Sequence, residues 1–240
     1  MKPNYGLDAP IVLFALFFGS LASLLLALLT PVYLEVSSPL SKIIEIQFFL
    51  GAVVMGVEIL LMIYSSKRGK RKCLQGVVEN LNLQGQEHIL DIGCGRGIFA
   101  IEAAKKLENG KVTGIDIWQR KDQWGSSLQN AQNNADIENV KDRVLFQTAN
   151  MCALPFEKEK FDIALASLAI HNLKTKEERL LAIQEMARVL KPQGKLIIVD
   201  FRAFPDYLEA LQQLGWKNIS VSKRNFQIFP YVRILSAQKP

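Results

Sequence analysis

The sequence predicts an α/β fold with a mostly parallel sheet, preceded by two helices long enough to cross a membrane. Two observations predict the membrane helices: residues 9–34 carry no charged side chain, and residues 43–64 carry only Glu45 and Glu58. A third observation predicts the sheet, because short apolar segments alternate with helical segments after residue 73. With 240 residues, the chain can hold one complete domain and an appendage.

The two apolar segments predict a membrane hairpin over residues 1–66, with spans at about 10–31 and 43–64. The second segment has 22 residues and would be about 33 Å long as a helix, which matches a hydrocarbon core of about 30 Å. Prolines and serines within residues 30–41 predict the connecting loop. Two alternatives remain open: a cleaved signal anchor, and a hydrophobic helical hairpin buried inside a soluble domain.

The positive charge of the chain is concentrated after the second span. The net charge is +6, and five basic side chains lie within residues 67–72. We interpret this stretch as a basic juxtamembrane linker on the cytoplasmic side, next to anionic lipid. Both termini and the domain at residues 73–240 would then be cytoplasmic, because two spans return the chain to its starting side. Since the domain itself is only slightly basic, nucleic-acid binding is not expected.

Glu58 lies in the second half of the second span, where an acidic side chain is costly. One interpretation is that Glu58 contacts a substrate or a proton path. The other is that it has no function and is protonated, or turned toward the first span or the serines at the end of the helix. The sequence leaves both interpretations open.

The domain begins with an amphipathic helix, in which Leu74, Val77, Val78 and Leu81 recur at helical spacing. Strand-like segments follow at residues 89–92, 112–117, 144–148, 161–167, 195–201, 219–223 and 231–236. Helical segments alternate with the first five, which favours a parallel sheet with helices on both faces. The last two segments are joined without an obvious helix, which predicts a terminal hairpin.

A glycine-rich turn follows the first predicted strand. Gly93, Gly95 and Gly97 alternate with other residues, and glycine at such a turn lets the backbone pass close to a ligand. Asp91 lies two residues before the first glycine, and Asp116 follows the second strand, 19 residues after Gly97. An acidic residue at that position can accept both hydroxyls of a ribose. The pattern therefore indicates a nucleotide-like ligand.

Four stretches together resemble the class I S-adenosylmethionine-dependent methyltransferases, closest to the ubiquinone and menaquinone C-methyltransferases. They are, in the order of the family, ILDIGCGRG, GIDIW, ALPFEKEKFDIALASLAIHNL and EMARVLKPQGKLIIVDF. The resemblance implies a Rossmann-like seven-stranded sheet, mostly parallel with an antiparallel last strand, and S-adenosylmethionine as the cofactor. A dinucleotide-binding protein is the weaker alternative, because its glycines would be spaced G-x-G-x-x-G rather than G-x-G-x-G.

The resemblance also implies a set of cofactor-binding residues. Asp91 would hold the ammonium group, unless it only caps the turn, and Asp116 would hold the ribose. Asn150 and Met151 would contact the adenine, although relatives often carry Asp where Asn150 stands. Trp118 would cover the adenine or pack in the core. The predicted set is Asp91, Gly93, Cys94, Gly95, Gly97, Asp116, Ile117, Asn150, Met151 and Ser167.

His171 is the candidate catalytic residue. It lies four residues after Ser167, in a segment that family members often place near the transferred methyl group, and an imidazole can act as a base near neutral pH. A hydrogen-bonded histidine that only shapes the pocket fits the sequence equally well, and Asn172 can fill either role. Methyl transfer depends mainly on in-line positioning, so a strong base is optional.

These observations predict a membrane-anchored methyltransferase with a small, hydrophobic or lipid-like acceptor. The alternative is a protein that binds S-adenosylmethionine, or acts as a membrane scaffold, without catalysis. Aromatic residues of the tail, Phe226, Phe229 and Tyr231, would line the acceptor pocket or only edge the sheet. Since the chain has three cysteines and two histidines, with no C-x-x-C pair, we expect neither a metal site nor a disulfide framework.

Overall fold

The computed structural model of the protein describes residues 2–33, 38–119, 123 and 125–240. Two long helices come first, α1 Pro10–Tyr33 and α2 Pro39–Tyr64. The elements that follow are a π-helical turn Ser65–Gly69, α3 Lys70–Asn80, β1 His88–Ile92, α4 Ile98–Ala104, β2 Lys111–Asp116, α5 Leu128–Ile137, β3 Val144–Thr148, β4 Phe161–Ser167, a 3-10 turn Ile170–Asn172, α6 Lys176–Val189, β5 Leu190–Asp200, α7 Phe204–Gln213, β6 Ile219–Val221 and β7 Arg233–Gln238.

The strands of the described residues form one seven-stranded sheet in the order β3-β2-β1-β4-β5-β7-β6. Neighbouring strands from β3 to β5 are parallel, whereas β7 is antiparallel to both β5 and β6. The predicted mostly parallel, Rossmann-like sheet with an antiparallel last strand is therefore confirmed. Strand order reverses between β1 and β4, and ligands of such sheets bind at the carboxyl ends of the strands on either side of the reversal.

One connection of the sheet differs from the prediction that helices alternate with the first five strands. Residues 149–160, all of which are described, join β3 to β4 through turns, so the prediction was wrong at this place. Arg188 on α6 holds the connection by donating hydrogen bonds to the carbonyl oxygens of Leu154 and Phe156, at 3.0 and 2.8 Å. These bonds satisfy backbone groups that a helix would have paired internally.

Helices cover both faces of the sheet. On one face, Leu74 and Val77 of α3 join Phe99 of α4 in a buried cluster. On the other face, α6 and α7 contribute a second cluster that includes the fully buried Tyr207. The predicted amphipathic helix is confirmed as α3, because its apolar stripe is buried against the domain.

The helices α1 and α2 pack together as a hairpin. Ser20 and Ser23 on α1 donate hydrogen bonds to the carbonyl oxygens of Ala52 and Phe48 on α2, at 3.0 and 2.7 Å. Small side chains at this contact let the two backbones approach each other. Both helices are long and apolar enough to cross a membrane, and their large apolar side chains are mostly exposed. This exposure argues against a hairpin buried inside a soluble domain.

Both long helices extend beyond their predicted ends. Within the described residues, α1 continues through Pro31 to Tyr33 and α2 begins at Pro39, so the predicted loop at 30–41 was too long. At its other end, α2 continues through the π-helical turn into α3, and one helix runs over Pro39–Asn80. Residues 67–72 therefore lie inside a helix.

The π-helical turn packs against the tail of the chain. A Cβ on Gly69 would overlap the carbonyl oxygen of Gln227. The Ser65 hydroxyl accepts a hydrogen bond from the backbone N–H of Phe229, at 3.0 Å. These contacts fix the end of the hairpin to the sheet domain.

Two residues of the basic stretch are ion-paired within the protein. Lys70 Nζ lies 2.7 Å from Asp8 Oδ1. Arg71 lies 2.8 Å from carboxylate oxygens of both Glu102 and Glu138. The interpretation of the whole stretch as a lipid-facing cluster was therefore wrong for Lys70 and Arg71, which have partners inside the fold.

Candidate functional site

The glycine-rich turn joins β1 to α4 at the carboxyl edge of the sheet. Gly93, Gly95 and Gly97 have φ angles of +67°, +53° and +82°, a region in which other residues are strained. A Cβ on Gly93 would overlap Ala169, and one on Gly95 would lie 2.7 Å from Gln123 Oε1. The turn therefore requires glycine, and its backbone forms one wall of a cavity.

Asp91, at the end of β1, has one carboxylate oxygen that accepts a hydrogen bond and one without a partner among the described residues. Its Oδ2 accepts a hydrogen bond from the backbone N–H of Ala100 in α4, at 3.0 Å. Its Oδ1 is buried and has no hydrogen-bond partner among the described residues. Burial raises the pKa of Asp91 to about 7, and the nearby charge of Asp116 adds to the increase. Asp91 thus caps α4 and also presents a free acceptor.

Asp116 ends β2 next to the glycine turn. Its Oδ2 accepts a hydrogen bond from the backbone N–H of Gly95 at 2.8 Å, and its Oδ1 accepts one from Trp118 at 2.6 Å. The Trp118 indole donates to the Thr148 hydroxyl at 2.8 Å and packs on the core, which favours the packing role for this residue. The neighbouring Ile117 is about half exposed beside the cavity.

The predicted cofactor-binding residues meet around this one cavity, with a single exception. The residues that line it include Asp91, Gly93, Cys94, Gly95, Asp116, Ile117, Asn150, Met151 and Ser167. The exception is Gly97, whose Cβ position is blocked by the Phe146 ring at 2.6 Å, so it serves the packing of the turn. Asn150 Oδ1 accepts a hydrogen bond from Cys152 N–H at 2.9 Å and retains a lone pair. The buried Ser167 hydroxyl has no partner among the described residues.

The N-terminal segment before α1 also reaches this cavity, which the sequence did not reveal. Asp8 and Lys70 line the cavity as an ion pair. Gln123 donates hydrogen bonds to Asp8 Oδ1 and to the carbonyl oxygen of Tyr5, both at 3.1 Å. Since Asp8 and Lys70 are 62 positions apart, no local pattern could have paired them.

His171 lies beside a second cavity rather than among the lining residues of the first. Its Nδ1 is 2.7 Å from Asp200 Oδ1, an ion-pair distance without the alignment of a hydrogen bond. Asp200 is fully buried at the end of β5, and its Oδ2 accepts a hydrogen bond from the Tyr207 hydroxyl at 2.9 Å. Burial and this carboxylate raise the pKa of Tyr207, so its hydroxyl remains a donor. The His171 ring also packs edge-on against Phe201, with centroids 4.7 Å apart.

The second cavity lies between the hairpin and the sheet domain. Val12 and Leu16 of α1 and Glu58 and Met62 of α2 form its hairpin side. On the domain side it is lined by His171, Phe201, Ile228, Phe229, Pro230 and Tyr231. Three residues, Asp8, Leu168 and Asn172, line both cavities, so the two adjoin each other.

The first cavity fits S-adenosylmethionine. The unpartnered buried Oδ1 of Asp91 is an acceptor for an ammonium group, and the cradle at Gly93 and Gly95 admits a ligand where side chains would collide. Asp116 lies at the end of β2 on the wall of this cavity, where a carboxylate can accept ribose hydroxyls. The fold and this cavity are those of the class I S-adenosylmethionine-dependent methyltransferases.

A protein family described as a methyltransferase domain matches residues 83–233, and the chain belongs to this family. It is similar to 27-O-demethylrifamycin SV methyltransferase of Amycolatopsis mediterranei, with 34% identity over 52% of this chain and 42% of the relative. It is also similar to demethylmenaquinone methyltransferase of Lactiplantibacillus plantarum, with 32% identity over 50% of this chain and 47% of the relative. The chain thus spans less than half the length of these relatives.

Among solved structures, the chain resembles the [4+2]-cyclase SpnF, with a TM-score of 0.60. The match covers 73% of this chain and 83% of the cyclase, at 22% sequence identity. At this identity the likeness shows a shared fold.

Proposed function

We propose that this protein is a membrane-anchored methyltransferase that transfers the methyl group of S-adenosylmethionine to a lipid-like acceptor with a polar ring, such as a quinol. The main observation that supports this proposal is that the cofactor cavity adjoins a largely apolar cavity between the hairpin and the sheet domain. The relatives that act on demethylmenaquinone and on 27-O-demethylrifamycin SV support a small-molecule acceptor. A sulfonium methyl is an electrophile, so a quinone-type acceptor would react in its electron-rich, reduced form.

The residues of the first cavity bind and orient the cofactor in this proposal. When bound, S-adenosylmethionine supplies an electrophilic methyl group. Asp91 holds the ammonium group with its unpartnered oxygen, and Asp116 accepts the ribose hydroxyls. Asn150 and Met151 contact the adenine from the turn after β3. Rigid placement of the cofactor lowers the barrier because methyl transfer needs the reacting atoms in line.

His171 takes up the proton that the acceptor loses. It stands on the wall of the second cavity, and Asp200 at 2.7 Å stabilises the imidazolium that forms. The Tyr207 hydroxyl holds Asp200 in place from the other side. Asn172, which lines both cavities, lies where the acceptor and the cofactor would meet.

We further propose that the hairpin spans the membrane twice and that both termini and the domain are cytoplasmic. The exposed apolar surface of α1 and α2 supports the spans. Lys67, Arg68 and Lys72 are exposed beyond the end of α2, where they can contact anionic headgroups. Protease treatment of inside-out membrane vesicles should remove the domain, whereas right-side-out vesicles should protect it.

Cofactor binding by the detergent-solubilised full chain tests the proposal. Calorimetry would compare the wild type with Asp116→Ala and with Asp142→Ala, an exposed aspartate at the opposite edge of the sheet. Loss of hydrogen bonds to a charged group, worth about 1.5–3 kcal/mol, should weaken binding by about 10- to 150-fold in Asp116→Ala only. Absence of binding by the folded wild type would refute the proposal.

Methyl transfer is then measured with methyl-radiolabelled S-adenosylmethionine and reduced demethylmenaquinone or total membrane lipid. Labelled lipid is the expected product. The second candidate function is a protein that binds the cofactor without methyl transfer, which Asn150 and the shared fold of a cyclase favour. Tight cofactor binding with no labelled lipid would favour that candidate.

A further inference from the structure

We propose that the acceptor binds in the second cavity, enters it from the bilayer, and donates a hydrogen bond from its ring hydroxyl to Glu58 of the hairpin. This inference rests on the proposed function and assigns part of the acceptor site to a helix outside the methyltransferase domain. The segment of the family match begins at residue 83, so Glu58 lies outside it.

The position of Glu58 is the first argument. It lies on the wall of the second cavity, half-buried, with Val12 and Leu16 of α1 among the lining residues from the hairpin. Among the residues that the structure describes, Glu58 has no hydrogen bond and no ion pair. An acidic side chain in an apolar helix is costly unless it faces a cavity or a partner. Here the cavity supplies the place for a partner.

The other polar groups of the cavity are the second argument. Asp8, the other carboxylate on its wall, is already paired with Lys70 and bonded by Gln123. His171 stands on the domain side with its Nδ1 turned to Asp200. Glu58 is therefore the carboxylate of the cavity wall that is left to accept a hydrogen bond from a hydroxyl, and His171 lies on the opposite, domain side.

The apolar lining is the third argument, because it fixes the class of acceptor. Leu16, Met62, Ile228 and Phe229 would surround a hydrocarbon chain, and the exposed apolar surface of α1 and α2 continues from the cavity. A ring with hydroxyl groups and a long apolar tail matches both parts. The polar ring would sit between Glu58 and His171, near the cofactor cavity, with its tail along the hairpin.

The transfer step balances with these residues. An electron pair of the acceptor ring or its oxygen forms the new bond to the methyl carbon, and the methyl–sulfur bond breaks with its pair retained by sulfur. The acceptor loses one proton, which His171 takes up. Glu58 keeps its hydrogen bond to a ring hydroxyl throughout and acts as a binding residue.

Photolabelling of the full-length protein tests the inference without requiring the probe to be a substrate. The protein is reconstituted in vesicles of phosphatidylcholine and phosphatidylglycerol with an alkyl hydroquinone that carries a diazirine near the ring. Mass spectrometry should find the label enriched at Val12, Leu16 and Met62. In Glu58→Gln this labelling should fall at least fivefold. Glu45→Gln is the matched control, since Glu45 is exposed on the same helix, about 20 Å away along its axis.

A second pair of variants guards against misfolding. Leu16→Trp should fill the cavity and reduce labelling at Val12 and Met62, whereas Leu21→Trp, on the exposed surface of α1, should not. Calorimetry with S-adenosylmethionine should give wild-type affinity for all four variants. Equal labelling of wild type and Glu58→Gln, or no enrichment in the cavity, would overturn the inference while leaving cofactor binding and methyl transfer intact. Loss of cofactor binding in the wild type would instead refute the proposed function.

Discussion

Replacing Asp91 with Asn should make the cofactor-free protein more stable and the cofactor site weaker. Burial raises the pKa of Asp91 from its ordinary value of 3.8 to about 7. A raised pKa means that the folded protein favours the protonated carboxyl. The stabilising contribution of the protonated form is complete below pH 3.8, declines as the pH rises, and is lost above pH 7.

The size of this effect follows from the pKa difference. At 1.36 kcal/mol per pH unit, the raised pKa of Asp91 costs the folded state about 4 kcal/mol above pH 7, where the carboxyl is ionised, and about 2 kcal/mol at pH 5.5, where it is kept protonated. Asn has nearly the same shape and can still accept the Ala100 N–H hydrogen bond. Asp91→Asn should therefore raise the melting temperature by about 10 °C at pH 8 and by about half as much at pH 5.5.

Thermal unfolding followed by tryptophan fluorescence would measure the gain at both pH values, with Asp142→Asn as an exposed control. Calorimetry at pH 8 would measure cofactor affinity, which should fall by about 10- to 150-fold because a charge-assisted hydrogen bond to the ammonium group is lost. An unchanged melting temperature at pH 8 would refute the burial argument. Unchanged affinity would refute the assignment of Asp91 to the ammonium group.

Two further predictions concern glycines. Gly93 has a φ of +67°, and a Cβ there would overlap Ala169. Gly93→Ala should therefore destabilise the protein by about 2 kcal/mol or more and abolish cofactor binding. A melting temperature equal to that of the wild type would contradict this prediction. Gly69→Ala, which would overlap the Gln227 carbonyl oxygen, should loosen the tail and increase hydrogen exchange of residues 225–232. Its matched control is Gly76→Ala, in open space on the same helix, which should stabilise the protein by about 1 kcal/mol and leave exchange in the tail unchanged.

The sequence predicted the sheet well, because each strand there is a short apolar run between turn residues. Strands β3 and β4 begin and end where predicted. The prediction failed where tertiary contacts replace local signals: β5 begins at Leu190 rather than residue 195 because Leu190 pairs with Phe161 across the sheet. The helix expected between β3 and β4 is likewise replaced by turns that Arg188 holds.

The sequence could predict those residues of the cofactor cavity that belong to a motif, because motif residues are neighbours in the sequence and lie at the ends of strands. The place of Asp8 and Lys70 in the cavity could not be predicted, because their pairing depends on how the N-terminal segment crosses the domain. The sequence could have indicated the pairing of His171 with Asp200, since Asp200 ends a parallel strand at the same edge of the sheet as Ser167. The side of the helix that Glu58 faces could be learned only from the packing of α2.

The continuous helix Pro39–Asn80 fixes the rotation of the hairpin relative to the sheet domain. Each residue inserted into the π-helical turn Ser65–Gly69 would turn Glu58 by about 100° around the axis and move it by about 1.5 Å relative to α3. One insertion would therefore turn Glu58 away from the acceptor cavity while leaving both helices intact. The spacing of 12 positions between Glu58 and Lys70 thus matters to the acceptor cavity as much as the identity of either residue.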